Sequence, residues 1–359
     1  MKSLADSTIS SETASNGSVR PPRTATFQSI QVSRGLAALS VVFYHVGLFF
    51  FQKANYSPFS GFSNYGYMGV PYFFVLSGFI IGFAHTQDLG HADRLAAFVR
   101  KRFVRVYPIY WIFSALFIVA AIVGLGDRDF SLAPIDLLQA ILLVHFTPEF
   151  SSPPLKVAWT LFYEVRFYFL FGLAILFPRI ILAIVAFWIV AICMITPFND
   201  FSFEILSFWN FAFPIGLLVC FAYTRLKPSC WPIALIPGLS LVTAILLSTK
   251  MTDLRGGRSI AMVGVMIGFG LVVLGLALWE RKASVAVPRL LLILGDASYA
   301  LYLVHSAVIS VLGILILKLH LLRYVSAELL FLPMVVIATT AGIIAHLLIE
   351  KPVLRYTHR

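Results

Sequence analysis

A cation and a titratable ring share one stripe of the first apolar segment of this chain. Arg34 and His45 are eleven residues apart, which places them about three helical turns and ~16 Å from each other on nearly the same face. Ionisable side chains at membrane depth are costly, so they are functional candidates. A cation near one end and an imidazole deep in the helix would suit a long anionic ligand and proton transfer at His45. The alternative is that His45 is a structural hydrogen-bonding residue between helices.

A run of four basic residues stands directly before another apolar segment, which opens at Tyr107-Pro108. Proline suits the first turn of a helix, so we expect a helix to begin there. Arginine forks match phosphate oxygens, and a helix start adds free N–H donors. Arg102 and Arg105 of this run are therefore candidates for a phosphate clamp. The alternative is an ordinary stop-transfer cluster of basic residues.

An acidic residue, Glu164, lies inside an otherwise apolar segment, with Tyr168 one turn further on the same face. A buried carboxylate needs a partner or a proton. Glu164 would orient a histidine or a substrate hydroxyl, or it would pair structurally with an arginine of another helix. Arg166, only two residues away, is expected to point elsewhere.

A polar stripe opens a further apolar segment. Ser298, Tyr302 and His305 follow each other at helical spacing on one face, and Asp296 before them is suited to the N-cap. The Ser77-Gly78 pair, by contrast, is typical of a close helix contact rather than of catalysis. The sequence contains no P-loop, dinucleotide, nucleophile-elbow or zinc-hydrolase motif. Its three cysteines have neither disulfide nor zinc spacing, so no metal site is expected.

The elements that carry these residues are membrane spans. Of the 359 residues, 60% are hydrophobic and 12% charged, with a mean hydropathy of +0.91; a soluble domain has about twice that share of charges. From Phe27 onward the chain divides into apolar segments of about 20 residues, the length that crosses ~30 Å of hydrocarbon. We predict an all-α polytopic membrane helix bundle of about ten transmembrane helices, at 30–51, 67–84, 107–125, 159–177, 180–198, 205–223, 231–249, 259–279, 296–317 and 327–349.

One apolar piece, 135–147, is too short to span comfortably and is predicted to be a re-entrant or interfacial helix. The alternative, an eleventh short span, would invert every later loop. With ten spans and the N-terminus inside, 18 of the 27 basic residues fall on the cytoplasmic side and 8 outside, which agrees with the positive-inside rule. Both termini are therefore expected in the cytoplasm. The net charge of +11 indicates orientation in a membrane rather than binding to nucleic acid.

The chain is expected to consist of a tail and one membrane domain. Residues 1–26 are rich in Ser and Thr and almost without large apolar side chains. Such a segment cannot bury enough surface to offset its ordering entropy, so it is predicted to be a disordered cytoplasmic tail. Residues 27–359 are predicted to form a single integral-membrane domain.

Taken together and in this order, the blocks resemble the membrane-bound acyltransferase 3 family from Phe27 to Tyr356. The matching blocks are Arg34-x10-His45, Phe-Phe-x-x-Ser-Gly-Phe at 73–79, the basic run into Tyr107-Pro108-Ile109-Tyr110, Trp159-Thr160-Leu161-x-x-Glu164-x-x-Phe167-Tyr168, Ser298-Tyr299-x-x-Tyr302-Leu303-x-His305 and Glu350-Lys351-Pro352. One departure is Pro71, where many members carry an acidic residue. It removes the basis for an acidic role at the second span.

The resemblance implies transfer of an acyl group, most often acetyl, from cytosolic acyl-CoA (acetyl-CoA) as co-substrate to a sugar hydroxyl, with no bound cofactor. Usual acceptors are bacterial surface polysaccharides, among them lipopolysaccharide O-antigen and exopolysaccharide, and lipid-linked glycans, which implies the bacterial inner membrane. His45 would act as general base or acyl carrier, supported by Glu164 and Tyr168. The residues expected to bind acyl-CoA are Arg34, Arg102, Arg105, Ser298, Tyr302 and His305. Succinyl or longer groups stay open, as does the choice between an acyl-enzyme and direct transfer.

The alternative function is a multi-pass transporter or flippase for a glycan or a small solute, because ten spans with buried ionisable residues suit that class as well. Such a protein typically has broken helices in two related halves. The sequence shows no such repeat. A transporter would also not depend on acyl-CoA.

Overall fold

A computed structural model describes residues 27–124, 130–147, 153–198, 204–255, 259–283 and 286–357. These residues form helices joined by turns and short 3₁₀ segments, and no β-strand occurs among them. The predicted all-α class is confirmed. The tail predicted at 1–26 lies outside the described residues.

Fourteen α-helices follow each other along the described part of the chain. They are α1 Gln28–Ala54, α2 Gly69–His85, α3 Leu95–Ile122, α4 Pro134–Leu142, α5 Trp159–Leu176, α6 Pro178–Ile195, α7 Ala212–Arg225, α8 Trp231–Ser248, α9 Met251–Arg255, α10 Ile260–Lys282, α11 Arg289–Asp296, α12 Ser298–Lys318, α13 Ala327–Ala345 and α14 Lys351–Thr357. A π-helical turn, His346–Glu350, joins α13 to α14. Within the described ranges, nine helical stretches are long and apolar enough to cross a membrane, and they coincide with nine of the ten predicted spans. The chain is an integral membrane protein.

The remaining predicted span, 205–223, takes a shorter form. A 3₁₀ turn, Phe208–Phe211, precedes α7, which has 14 residues. A close crossing nevertheless holds α7 in the bundle. A Cβ atom on Gly78 of α2 would lie 2.3 Å from the Phe213 carbonyl oxygen, and one on Gly216 of α7 would lie 2.1 Å from the Val75 carbonyl oxygen. The packing role expected of Ser77-Gly78 is therefore confirmed for Gly78, since only glycines allow the two backbones to approach so closely. Ser77 instead lines a cavity and donates to Glu164 at 3.4 Å.

The segment predicted to be re-entrant or interfacial forms α4, a helix of nine residues that ends in a left-handed turn at Leu143 (φ 55°). A helix of that length measures about 13 Å and cannot cross a bilayer. Its last carbonyl groups accept hydrogen bonds from three side chains in the middle of α3, those of Tyr107, Tyr110 and Trp111. Because these donors lie halfway along a spanning helix, the end of α4 reaches the depth of the middle of α3. The geometry favours the re-entrant form over an eleventh span.

The helix start predicted at Tyr107-Pro108 is wrong. α3 begins at Leu95 and carries Pro108 in its interior. The basic run at 100–105 thus extends the span by helical turns whose long side chains can reach polar surroundings. Arg102 and Arg105 have no free helix N–H groups beside them, so a phosphate clamp at this place would depend on side chains.

Asp296 is not the N-cap of the following span. It is the last residue of α11, a helix that the sequence did not indicate, and α12 begins at Ser298 behind Ala297. The reason is a close contact with α1, because a Cβ atom on Gly295 would lie 2.1 Å from the Gln31 carbonyl oxygen. Asp296 instead accepts a hydrogen bond from the Gln31 side-chain amide. This contact brings the start of α12 beside Arg34.

The α2–α7 crossing leads to a stability prediction. The substitution Gly78→Ala should lower the apparent Tm of the detergent-solubilised protein, because overpacking costs about 1–3 kcal/mol. Gly172→Ala is the matched control, since its new Cβ atom would meet its nearest neighbour at an ordinary 3.5 Å. Thermal unfolding of both variants beside the wild type tests this. Equal Tm values for the two variants would contradict the crossing.

Candidate active site

A cavity of about 460 Å³ opens at the end of the bundle where α1 and α12 begin and α13 ends. Its wall combines apolar side chains, such as Phe73 and Phe74 of α2, with a ring of charged and hydroxyl groups. Seven of the nine site residues predicted from the sequence line it: Arg34, Arg102, Arg105, Glu164, Tyr168, Ser298 and Tyr302. His45 and His305 do not line it.

Arg34 enters the cavity from α1 with neutral partners. Its Nη1 atom donates to the Gln31 side-chain oxygen at 3.2 Å, and its Nη2 atom donates to Ser298 Oγ at 3.0 Å. Ser298, 1% exposed, lies at the first turn of α12. Two of the predicted residues are therefore brought together across two helices. Neither hydrogen-bond partner carries a negative charge, and the carboxylates of Glu164, Asp296 and Glu350 line the same cavity without forming an ion pair with Arg34.

Arg102 also has a neutral partner. Its Nη2 atom lies 3.0 Å from Nε2 of His85, at the end of α2, and its guanidinium lies over the rings of Phe98 and Tyr168 at 5.8 and 5.7 Å. Its Nε atom is buried and has no hydrogen-bond partner among the described residues. The arginine is thus fixed in place without being neutralised.

Arg105 differs, because it forms an ion pair. Its Nη1 atom lies 3.1 Å from Oε1 of Glu350, whose other oxygen accepts from His346 Nδ1 at 2.7 Å. Glu350 is 1% exposed, and both partners belong to the π-helical turn that lines the cavity. Insertions of π-helix into helices are frequent at functional sites. The charge of Arg105 is therefore largely compensated within the protein.

Glu164 belongs to the cavity and not to the histidines. Tyr168 donates a hydrogen bond to its Oε1 atom, and Ser77 Oγ lies 3.4 Å from the same oxygen. Arg166 points away from it, as expected, and pairs with Glu204 at 3.3 Å. Among the described residues no hydrogen bond joins Glu164 to His45. The carboxylate faces the cavity with hydroxyl donors around it.

Tyr302 separates the cavity from a pair of histidines. Its hydroxyl donates to the Val157 carbonyl at 2.8 Å and lies 2.9 Å from Thr160 Oγ1. Its ring lies 5.8 Å from that of His305, which has no exposed surface. His305 Nε2 in turn lies 3.2 Å from His45 Nδ1. The polar residues of α12 therefore lead from the cavity towards His45.

The hydrogen bonds of the two rings specify where their protons are. Nδ1 of His45 lies 3.0 Å from the Val41 carbonyl, and Nδ1 of His305 lies 3.0 Å from the Leu301 carbonyl. A carbonyl oxygen only accepts, so each Nδ1 atom carries a proton. The one proton on His45 Nδ1 then lies between two acceptors, the Val41 carbonyl and His305 Nε2. The Nε2 atom of His45 is left with a lone pair. That atom can take a proton from a hydroxyl group.

The sequence is similar to those of known proteins. Residues 27–348 match the family described as Acyltransferase domain, the acyltransferase 3 family. The chain belongs to this family. It is 27% identical to the exopolysaccharide production protein ExoZ of Rhizobium meliloti, over 81% of this chain and 90% of that protein. It is 26% identical to the acyltransferase MdmB of Streptomyces mycarofaciens, over 94% of both chains. No solved structure matches the chain.

Membership of the family makes the protein a membrane acyltransferase. Two residues of its cavity, His346 and Glu350, were not among the site residues expected from the sequence. The signal was present: an acidic residue after Leu347-Leu348-Ile349, with a histidine four positions earlier, is the same kind of buried carboxylate as Glu164.

Among the described residues, no group of three or more His, Cys, Asp or Glu side chains is arranged to hold a metal ion.

The Arg105–Glu350 pair of this acyltransferase leads to a second prediction. Arg105→Ala should lower the apparent Tm more than the double variant Arg105→Ala/Glu350→Gln does. The reason is that the single substitution leaves a buried carboxylate without its cation, a loss of about 3–5 kcal/mol. Thermal unfolding of both variants in the same detergent tests this. A double variant that is no more stable than the single one would contradict a paired Glu350.

Proposed function

We propose that the protein transfers an acyl group, acetyl in the first instance, from cytosolic acyl-CoA to a hydroxyl of a surface or lipid-linked glycan. The observation that carries this proposal is the cavity, where the guanidinium groups of Arg34 and Arg102 have neutral hydrogen-bond partners beside apolar walls. Guanidinium groups match the phosphates of a nucleotide-bearing thiol. The apolar part of the wall suits its pantetheine arm.

The charge distribution supports a cytoplasmic opening for the cavity. The helix ends around it carry Arg34, the basic run at 100–105 and Lys351, and the positive-inside rule assigns such ends to the cytoplasm. Both termini would then be cytoplasmic, in a bacterial inner membrane. Acyl-CoA would enter from the compartment in which it is made.

The proposed chemistry takes place at His45. The acyl arm would pass along α12 to Tyr302, and the free Nε2 atom of His45 would take the proton of the acceptor hydroxyl as that oxygen attacks the thioester carbonyl. The attack forms the new ester as the thioester C–S bond breaks, and the proton held by His45 passes to the leaving sulfur to give the CoA thiol. His305, bonded to His45 Nδ1 at 3.2 Å, would hold the imidazole and stabilise its cation. This role is the one that the sequence had suggested for Glu164.

The acyl acceptor is assigned only by its chemical class, a glycan hydroxyl. One relative is an exopolysaccharide production protein, which supports a bacterial surface polysaccharide or its lipid-linked precursor as the acceptor. The alternative of a transporter or flippase stays as the competing hypothesis. It would move its substrate without consuming acyl-CoA.

The role of His45 can be tested by transfer of label. His45→Gln should reduce transfer from radiolabelled acetyl-CoA to glycan in membrane vesicles by at least about 100-fold, the factor that general base catalysis commonly supplies. His91→Gln, which changes an exposed histidine, is the control and should behave as the wild type. Wild-type transfer by His45→Gln would contradict the proposed base. Movement of a glycan across the membrane of the same vesicles without acyl-CoA would favour the alternative function.

The arginines of the cavity can be ranked by how much their substitution raises KM for the acyl donor, acetyl-CoA. Arg34→Gln and Arg102→Gln should each raise KM for acetyl-CoA about tenfold or more, because each removes a guanidinium that no carboxylate binds directly. Arg105→Gln should have a smaller effect, since Glu350 already pairs with that residue. Arg100→Gln in the same run is the control, because Arg100 is exposed and does not line the cavity. Equal KM values for all four variants would overturn the clamp.

A further inference from the structure

A second histidine–carboxylate pair lies behind the cavity wall and has no part in the chemistry above. His85, the last residue of α2, is 3% exposed. Its Nδ1 atom lies 2.7 Å from Oδ2 of Asp88, and its Nε2 atom lies 3.0 Å from Nη2 of Arg102. Its ring also meets the Phe98 ring edge-on at 5.0 Å. The three polar side chains form a line that ends at the cavity.

The direction of every proton in this line follows from the arginine. A guanidinium has donors only and does not lose a proton in proteins, so Arg102 donates and His85 Nε2 accepts. The single ring proton must then be on Nδ1, where it is donated to Asp88. Asp88 therefore selects the tautomer of His85 that can bind an arginine.

A neutral acceptor has a consequence that a carboxylate does not have. It holds the guanidinium in one geometry while leaving its charge uncompensated, and the rings of Phe98 and Tyr168 complete the support at 5.8 and 5.7 Å. Arg105 shows the contrasting case, because its direct partner is the Glu350 carboxylate at 3.1 Å. Arg102 and Arg105, one turn apart on α3, thus differ in the charge of their direct partners.

We propose that His85 and Asp88 are positioning residues that present Arg102 as a fixed, uncompensated cation to the phosphate groups of the donor. The proposal rests on the proposed function, since it takes acyl-CoA as the donor. It assigns a role to the end of α2 that none of the predicted site residues covers. It also predicts that His85 and Asp88 act only through Arg102.

Binding of free CoA to the purified, detergent-solubilised protein tests this without turnover. His85→Leu should weaken binding about tenfold, the factor that one hydrogen bond to a charged group commonly carries. Asp88→Asn should weaken it less, because the tautomer is no longer selected but the imidazole remains. His85→Gln should bind close to the wild type, since its amide oxygen can accept from Arg102. Matched controls are His91→Gln and Asp93→Asn, which change exposed residues of the adjoining loop.

A double-mutant cycle separates positioning from a general effect on folding. In an Arg102→Gln background, His85→Leu should cause no further loss of CoA affinity, because the residue through which it acts is gone. Additive losses in that background, or wild-type affinity of His85→Leu, would overturn the proposal while leaving acyl-CoA as the donor. A wild type that does not bind CoA, with Arg34→Gln equally inert, would overturn the proposed donor as well.

Discussion

The cost of an unpartnered charge in an apolar bundle governs the arrangement of this protein. The three arginines that line the cavity are each held by a hydrogen bond, and the nature of the partner decides what the charge can still do. Arg105 meets a carboxylate and is compensated, whereas Arg34 meets the Ser298 hydroxyl and Arg102 meets an imidazole. Burial in a low-dielectric surrounding makes each of these contacts matter more than it would in water.

Close backbone contacts are what make those partnerships possible. The approach of α11 to α1 at Gly295 carries Ser298 to Arg34, and the crossing of α2 and α7 at Gly78 and Gly216 fixes the helix that ends in His85. A larger side chain at any of these glycines would push the helices apart by more than a hydrogen bond tolerates. The glycines therefore support the cavity although they contribute no polar group to it.

Helix α12 contributes both to the cavity and to the histidine pair. Ser298 and Tyr302 face the cavity, and His305, one turn deeper than Tyr302, is buried against His45. A polar stripe on one helix face thus serves a binding region at its start and a proton-handling pair further in. The tautomers required by Val41 and Leu301 leave one lone pair unused, on the Nε2 atom of His45.

The sequence by itself determined which segments enter the membrane and which side chains are exceptional there. Hydropathy and length located nine of the spans, and the cost of burying Arg34, His45, Glu164 and His305 marked these residues before any contact was known. It did not determine the shortened α7, the start of α3 at Leu95 or the helix α11, because tertiary contacts decide where a helix ends. Only the tertiary structure decided which of these side chains are hydrogen-bonded to each other across helices. His45 bonds to His305, more than 200 positions away in the chain, and Glu164 of α5 accepts a hydrogen bond from Ser77 of α2. Helical periodicity relates residues only along their own helix, so such partners across helices follow from packing alone.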